Sequence, residues 1–224
     1  LLAPLGQRFP AAVLAPIRLP HFYYPGMRIE VDVYAAAEPQ RVETLTDAGG
    51  IVQISRGGPL DLVALRAPDI AVARRLLGRL DPDRLLSALW FSAEPAPAEW
   101  HPDPETRVVP PPGAGVRGVL TLARQPVRQG QSPGGALRRE AGGWVWLSAQ
   151  GRSPDLARAA HEAMDALALP AQPDLTIVKA TTHYVGGAGP EDLHDNLAVR
   201  HARFPQPGPA STGVPVAGLD DGSL

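Results

Sequence analysis

Between residues 93 and 115 the chain carries Pro95, Pro97, Pro102, Pro104 and the run Pro110, Pro111 and Pro112. Each proline fixes φ and removes a backbone donor, so neither a helix nor a central strand can cross this segment. It reads as an extended connector and as the boundary between two halves, residues 1–92 and 116–224. A polyproline II ligand for another protein is the competing use of the same composition. Across 224 residues, 26 prolines and 23 glycines cut the rest of the chain into short elements bounded by turns.

A chain of this length can bury one large core or two small ones. Lys and Arg total 21 against 23 Asp and Glu, a net charge of -2, so no basic excess meets a phosphate backbone and no nucleic-acid partner is expected. No stretch is long and apolar enough to span a bilayer, and residues 1–6 lack the basic-then-apolar layout of a secretory signal. A soluble, cytoplasmic protein without a membrane partner is the expectation. Cysteine is absent, which excludes disulfides, Cys-ligated metals and a thiol nucleophile.

In the first half, Ile29, Val31 and Val33 alternate with Arg28, Glu30 and Asp32, the pattern of a strand over residues 27–34. Residues 50–55 and 60–65, joined by Gly57, Gly58 and Pro59, predict two paired strands. A helix is predicted to start at Pro68, with Ile70, Ala73, Leu77 and Leu80 at helical spacing. Residues 85–91 fit either a strand or a short helix. In the second half, residues 116–122 and 144–147 read as strands. Ser153 as cap with Pro154 at the first position opens a helix whose buried stripe is Leu156, Ala160, Ala163 and Leu167. Residues 175–184 form a strand. Pro190 opens a second helix carrying Leu193, Leu197 and Phe204, and residues 211–217 close the order β-β-α-β-α-β. The class is α+β, with two helices on one face of a mixed sheet.

Four pieces of the second half resemble the RidA/YjgF family of reactive-intermediate deaminases. Gly143 to Gly151, reading GWVWLSAQG, is similar to that family's strand ending in Ser-Gly-Gln. Ile177 to Val185, IVKATTHYV, is similar to its Val-Val-Lys-Thr-Thr strand. Asn196 followed by Ala202, Arg203 and Phe204 matches its helix with Asn and Arg-Phe-Phe, and PASTGVPV from Pro209 falls on its Pro-Ala-Arg-Ser-x-Val-Glu-Val motif. At the other end, the stretch around Tyr24, Pro25 and Gly26 and the strand of residues 27–34 look like the last strands of the same fold. The resemblance thus implies a RidA-like (chorismate-mutase-like) fold. Tandem units are one arrangement: a degenerate one over residues 1–92, a connector over 93–115 and a RidA-like domain over 116–224, as in chorismatase-like proteins. Completion of the C-terminal sheet by residues 27–34 is the other.

The resemblance also implies a small-molecule ligand, a homotrimer or pseudo-oligomer with clefts between units, and no cofactor. Hydrolysis of enamines and imines in that family uses an arginine that pairs bidentately with the substrate carboxylate. Its position here is Ser211, and the family's nearby Glu is matched by Pro215, which brings no acid-base group. The expected function is therefore a tailoring hydrolase, lyase or deaminase on a small carboxylated or cyclic metabolite. A non-catalytic ligand-binding or assembly protein is the alternative. Ser148, Gln150, Gly151, Ser211, Thr212 and Gly213 are the expected ligand-binding positions. Arg152 and His183 are the candidate catalytic groups, against readings as a solvated loop arginine and a structural histidine. Tyr184 points to the opposite strand face from His183. Trp144 and Trp146 read as core. Gly186 to Gly189 reads as a tight turn before a helix rather than a phosphate cradle. His194 and His201 lie seven apart with no tight His pair, so no metal site is expected.

Overall fold

Ala48 and Gly49 both take positive φ, 41° and 80°, which is the backbone a two-residue hairpin turn needs to match the twist of its strands. That turn joins strand β1 (Arg41–Asp47) to β2 (Gly50–Arg56), and β3 (Leu60–Ala67) extends the antiparallel meander. The computed structural model describes residues 13–15, 40–100, 107–108, 110, 113, 115–186, 190–204, 208–216 and 218–219. The strand expected over residues 27–34 lies outside them.

Helix α1 (Ile70–Leu77) follows β3. Its cap is Asp69, whose carboxylate accepts from the Val72 amide at 2.8 Å, so Pro68 stands ahead of the cap rather than at the first helical position. Val72, Ala73, Leu76 and Leu77 face the sheet, where Val52, Ile54, Val63, Leu65, Trp90 and Leu120 complete a buried core. Residues 85–91 resolve as a strand, β4 (Leu85–Phe91), buried along nearly its whole length. A buried carboxylate at the sheet's end, Asp61, is held by Arg56 at 2.7 Å and Arg84 at 2.9 Å, as a charge in such a place requires.

Where it is described, the proline-rich segment packs against the first sheet. Trp100, on a short 3-10 turn (Ala98–Trp100), is 1% exposed, and its carbonyl accepts from the Trp90 indole at 2.8 Å. Beyond it the two-residue strand β5 (Arg107–Val108) pairs parallel to Trp90 and Phe91. Then β6 (Val116–Ala123) inserts between β3 and β4, antiparallel to both. The sheet order is β1-β2-β3-β6-β4-β5, so the first sheet runs through the expected boundary and β6 belongs to it. Burial explains why: Leu120 and Leu122, alternating toward α1, fill the slot that two earlier strands leave open.

The second half starts another meander, β7 (Arg128–Gln131), β8 (Leu137–Ala141) and β9 (Trp144–Ser148), with Gly142 and Gly143 at φ 58° and 82° in the tight turn. Helix α2 (Leu156–Leu167) is capped by Asp155, which accepts from the Arg158 amide at 2.7 Å. Ser153 instead accepts from the Asp155 amide, so the cap lies two residues beyond the expected one. Strand β10 (Lys179–Tyr184), helix α3 (Pro190–Arg203) and strand β11 (Ala210–Pro215) follow, and β10 pairs parallel to β11. Ala160 and Met164 of α2 pack on Val199 of α3 and on Phe204. Trp144 is 38% exposed, against the core role expected of it, and Trp146 is half-buried.

The architecture is thus mixed α+β, with its described strands in three sheets rather than one. The halves meet where Phe91 and Val108 bury against Val216, flanked by Val185, Val214 and Leu219. Leu120→Ala, which empties a fully buried site on the inserted strand, is expected to lower the unfolding free energy by about 2–5 kcal/mol in urea titration. A loss well under 1 kcal/mol would place β6 outside the core.

Candidate functional site

Parallel pairing of β10 with β11 aligns Ala180 with Ser211, Thr182 with Gly213 and Tyr184 with Pro215. Registered residues of such a pair share a face, so Tyr184, Ser211 and Gly213 lie on one side and His183, Thr212 and Val214 on the other. Helix α3 covers the first side. A side chain built at Gly213 would meet Leu193 and come within 3.5 Å of Arg200 Nη2 and 3.6 Å of the Tyr184 ring.

This side holds a buried polar cluster. Arg200 is 3% exposed and Asn196, one helical turn earlier, is 2% exposed. Arg200 Nη1 donates to Ser211 Oγ. Its Nε and Nη2 have no hydrogen-bond partner among the described residues, and neither does Asn196 Oδ1. No carboxylate of the described residues forms a salt bridge with Arg200. Loss of hydration pushes its pKa below the ordinary arginine value, with a smaller opposing effect from Tyr184. Burial pushes the Tyr184 hydroxyl well above its ordinary value; Asp192 adds to this and Arg200 opposes it. Tyr184 is therefore a neutral phenol at physiological pH. Beside Ser211 a recess of about 310 Å³ opens to the surface, lined also by His201, Phe204, Gly208 and Pro209.

The other expected positions are dispersed. Ser148 ends β9, and Gly151 lies against α2, where a Cβ would fall 1.8 Å from the Ala159 carbonyl oxygen, so only glycine fits there. Arg152 is exposed, and its amide, with that of Ser153, donates to Glu162 at 2.8 and 3.1 Å. Gln150 is half-buried in the same turn. His183 stacks edge-on against Phe91, with ring centroids 6.4 Å apart, on the sheet face away from Ser211. Thr212 accepts from Lys179 Nζ at 2.7 Å on that same far face. Ser211 and Gly213 are therefore brought together with Arg200, whereas His183 and Thr212 are turned away from it. At Gly186 a Cβ would press on Asp192 and the Tyr184 ring, which accounts for the tight entry to α3; residues 187–189 lie outside the described set. Among the described residues no group of three or more His, Asp or Glu could hold a metal ion.

The sequence reading takes Asn196 only as a match to the resembled helix and passes over Arg200, although their positions carry a signal. Leu193, Asn196, Arg200 and Phe204 succeed one another at three- and four-residue steps, which puts a guanidinium on an apolar stripe. Comparison with family models, curated proteins and solved structures finds no match to this chain.

Tyr184 also sets a pH test. Its folded pKa is raised, so above the free-tyrosine value near pH 10 the unfolded chain loses a proton that the folded chain keeps, and stability falls as pH rises. Denaturant titrations of the wild type and of Tyr184→Phe are expected to diverge above about pH 10, with the wild type falling faster. Parallel curves would mean that the hydroxyl ionises freely in the folded chain.

Proposed function

We propose that this chain is a divergent RidA-superfamily protein, built of two RidA-like units, that binds a small carboxylated metabolite at the α3–β11 site and acts on it as a tailoring hydrolase, lyase or deaminase. The observation that carries this reading is the contact of Arg200 with Ser211. Where the resembled family places an arginine on the strand, this chain has a short hydroxyl that accepts from an arginine on the neighbouring helix. On this reading the helix supplies the cation that the strand lacks. Its two unpartnered nitrogens offer what a carboxylate takes up, a pair of parallel charge-assisted hydrogen bonds.

The order of elements supports the same reading. From β8 to β11 the second half runs β-β-α-β-α-β, the succession read from the sequence, with β8 standing where that reading had residues 116–122, which lie in the first sheet. Both halves also share a longer pattern: a three-stranded meander, a helix, and a strand paired parallel to a later one. A repeated unit produces that pattern, and assembly as a trimer or pseudo-oligomer through such units belongs to the same proposal.

Two observations favour the alternative, a non-catalytic binding or assembly protein. Pro215 occupies the family's Glu position, and Tyr184 is held in its neutral form. His201, on the recess rim, is then the acid-base group best placed for catalysis.

Isothermal titration with short monocarboxylates tests the binding. The wild type is expected to bind them, and Arg200→Met to weaken binding by about 10- to 100-fold, the worth of hydrogen bonds to a charged group. Because the substitution removes a buried, incompletely paired charge, its unfolding free energy is expected to stay equal or rise by up to about 3 kcal/mol. Unaltered affinity in a folded Arg200→Met protein would remove the site from the proposal. For the reaction, 2-iminobutyrate generated in situ is expected to release ammonia no faster than in buffer, since Pro215 replaces the acid-base group. Acceleration at the rate usual for that family would overturn the part assigned to Pro215.

A further inference from the structure

The pairing of β3 with β6 sets Arg66 directly opposite Arg117. Leu65, Ala67, Val116 and Leu120 belong to the core under α1, so by alternation the two arginines stand on the other face of the first sheet. Side chains opposed in this way have Cβ atoms about 4.5–5.5 Å apart, and like charges so placed repel. Ile51 flanks Arg66 in the same row, and Phe91 flanks Arg117 and packs against Val216 of the second half. Arg66 is exposed and Arg117 is half-buried. No carboxylate of the described residues forms a salt bridge with either. Among those residues the Arg117 side chain makes one hydrogen bond, from Nη1 to the Val116 carbonyl at 2.9 Å. Its Nε and Nη2 are left over and, unlike the spare nitrogens of Arg200, they are not enclosed. Loss of hydration pushes the Arg117 pKa below the ordinary arginine value, and repulsion from Arg66 pushes it the same way. Glycine at 115 keeps room beside the guanidinium, since a Cβ there would come within 3.4 Å of Nη1.

We propose that Arg66 and Arg117 form a second ligand site, on the face of the first sheet away from α1, that takes the phosphoryl group of a small phosphate monoester. Such a group carries a charge of about −1.5 to −2 at neutral pH and three strong acceptor oxygens. One phosphoryl group therefore matches both cations, whereas one carboxylate leaves a cation unmatched. The Nε–Nη2 edge of Arg117 meets two of the oxygens side by side, and Arg66 meets the third from across the strand pair. Because both guanidinium groups reach the surface, the ions pair without the full cost of leaving water. The assignment stands apart from the α3–β11 site and does not depend on it.

Calorimetric titration of the full chain with methyl phosphate, inorganic phosphate and acetate, at fixed ionic strength, tests the site. Both phosphates are expected to bind at least about tenfold tighter than acetate, the effect of further hydrogen bonds to charged groups. Arg66→Met and Arg117→Met are each expected to weaken phosphate binding by about 10- to 100-fold. Arg74→Met, on the exposed side of α1, is expected to leave it unchanged. Phosphate binding no tighter than that of acetate would overturn the proposal, as would a folded Arg117→Met protein with wild-type affinity. An equal loss in Arg74→Met would show a response to net charge alone and overturn it too. Sedimentation of the chain with phosphatidic acid vesicles that methyl phosphate does not displace would overturn the assignment to a small ester. The wild-type series decides the preference for phosphate even where a variant fails to fold.

Discussion

The insertion of β6 between β3 and β4 is the constraint on which the first half depends. Two strands whose core-facing residues are buried cannot leave an open slot between them, because unpaired backbone groups would be buried with it. The chain must therefore leave β4 and come back as β6 on its other side. Trp100 fixes the path by placing a large ring in the core and offering its carbonyl to Trp90.

This explains what could be read in the sequence and what could not. Local signals located β2, β3, β9, α1 and α3 to within a few residues, because alternation and caps are short-range properties of Ile54, Val63, Asp69 or Pro190. Membership in a sheet is not such a property. Val116 to Ala123 reads as a strand by its alternation, yet nothing within it says whether its partners lie ahead or behind. The proline-rich run reads as a boundary because composition reports local conformation, whereas the burial of Trp100 is a matter of packing that composition does not carry. The short polar strand β7, whose four residues are all exposed, carries no hydrophobic alternation to announce it.

At the site, the strand register was decisive. Ser211, Gly213 and the opposed faces of His183 and Tyr184 were legible, since a strand fixes which neighbours can share a side. Which of the two faces α3 would cover was not legible, and it is Tyr184 that lies with Ser211. Arg200 was not legible as part of this cluster, because nothing in a strand's own sequence says which helical side chain will reach Ser211. A guanidinium on a long side chain can arrive from a neighbouring helix, and the small side chains of Ser211 and Gly213 make room for it. The arrangement leaves a charge deep in the protein with part of its hydrogen-bonding capacity unspent among the described residues.

The cluster of Phe91, Val108 and Val216 joins the two sheets across the last residues of β4 and the segment just past β11. Val216 also donates its amide to the Tyr184 carbonyl at 2.9 Å, so the strand pair that carries Ser211 is anchored directly to the seam. Neither half can lose its structure without exposing apolar surface that the other half has buried. Free energy gained in packing at either end of this seam is thereby shared between the two sheets, and a molecule that bound the folded β11 face would raise the melting temperature of both together through mass action.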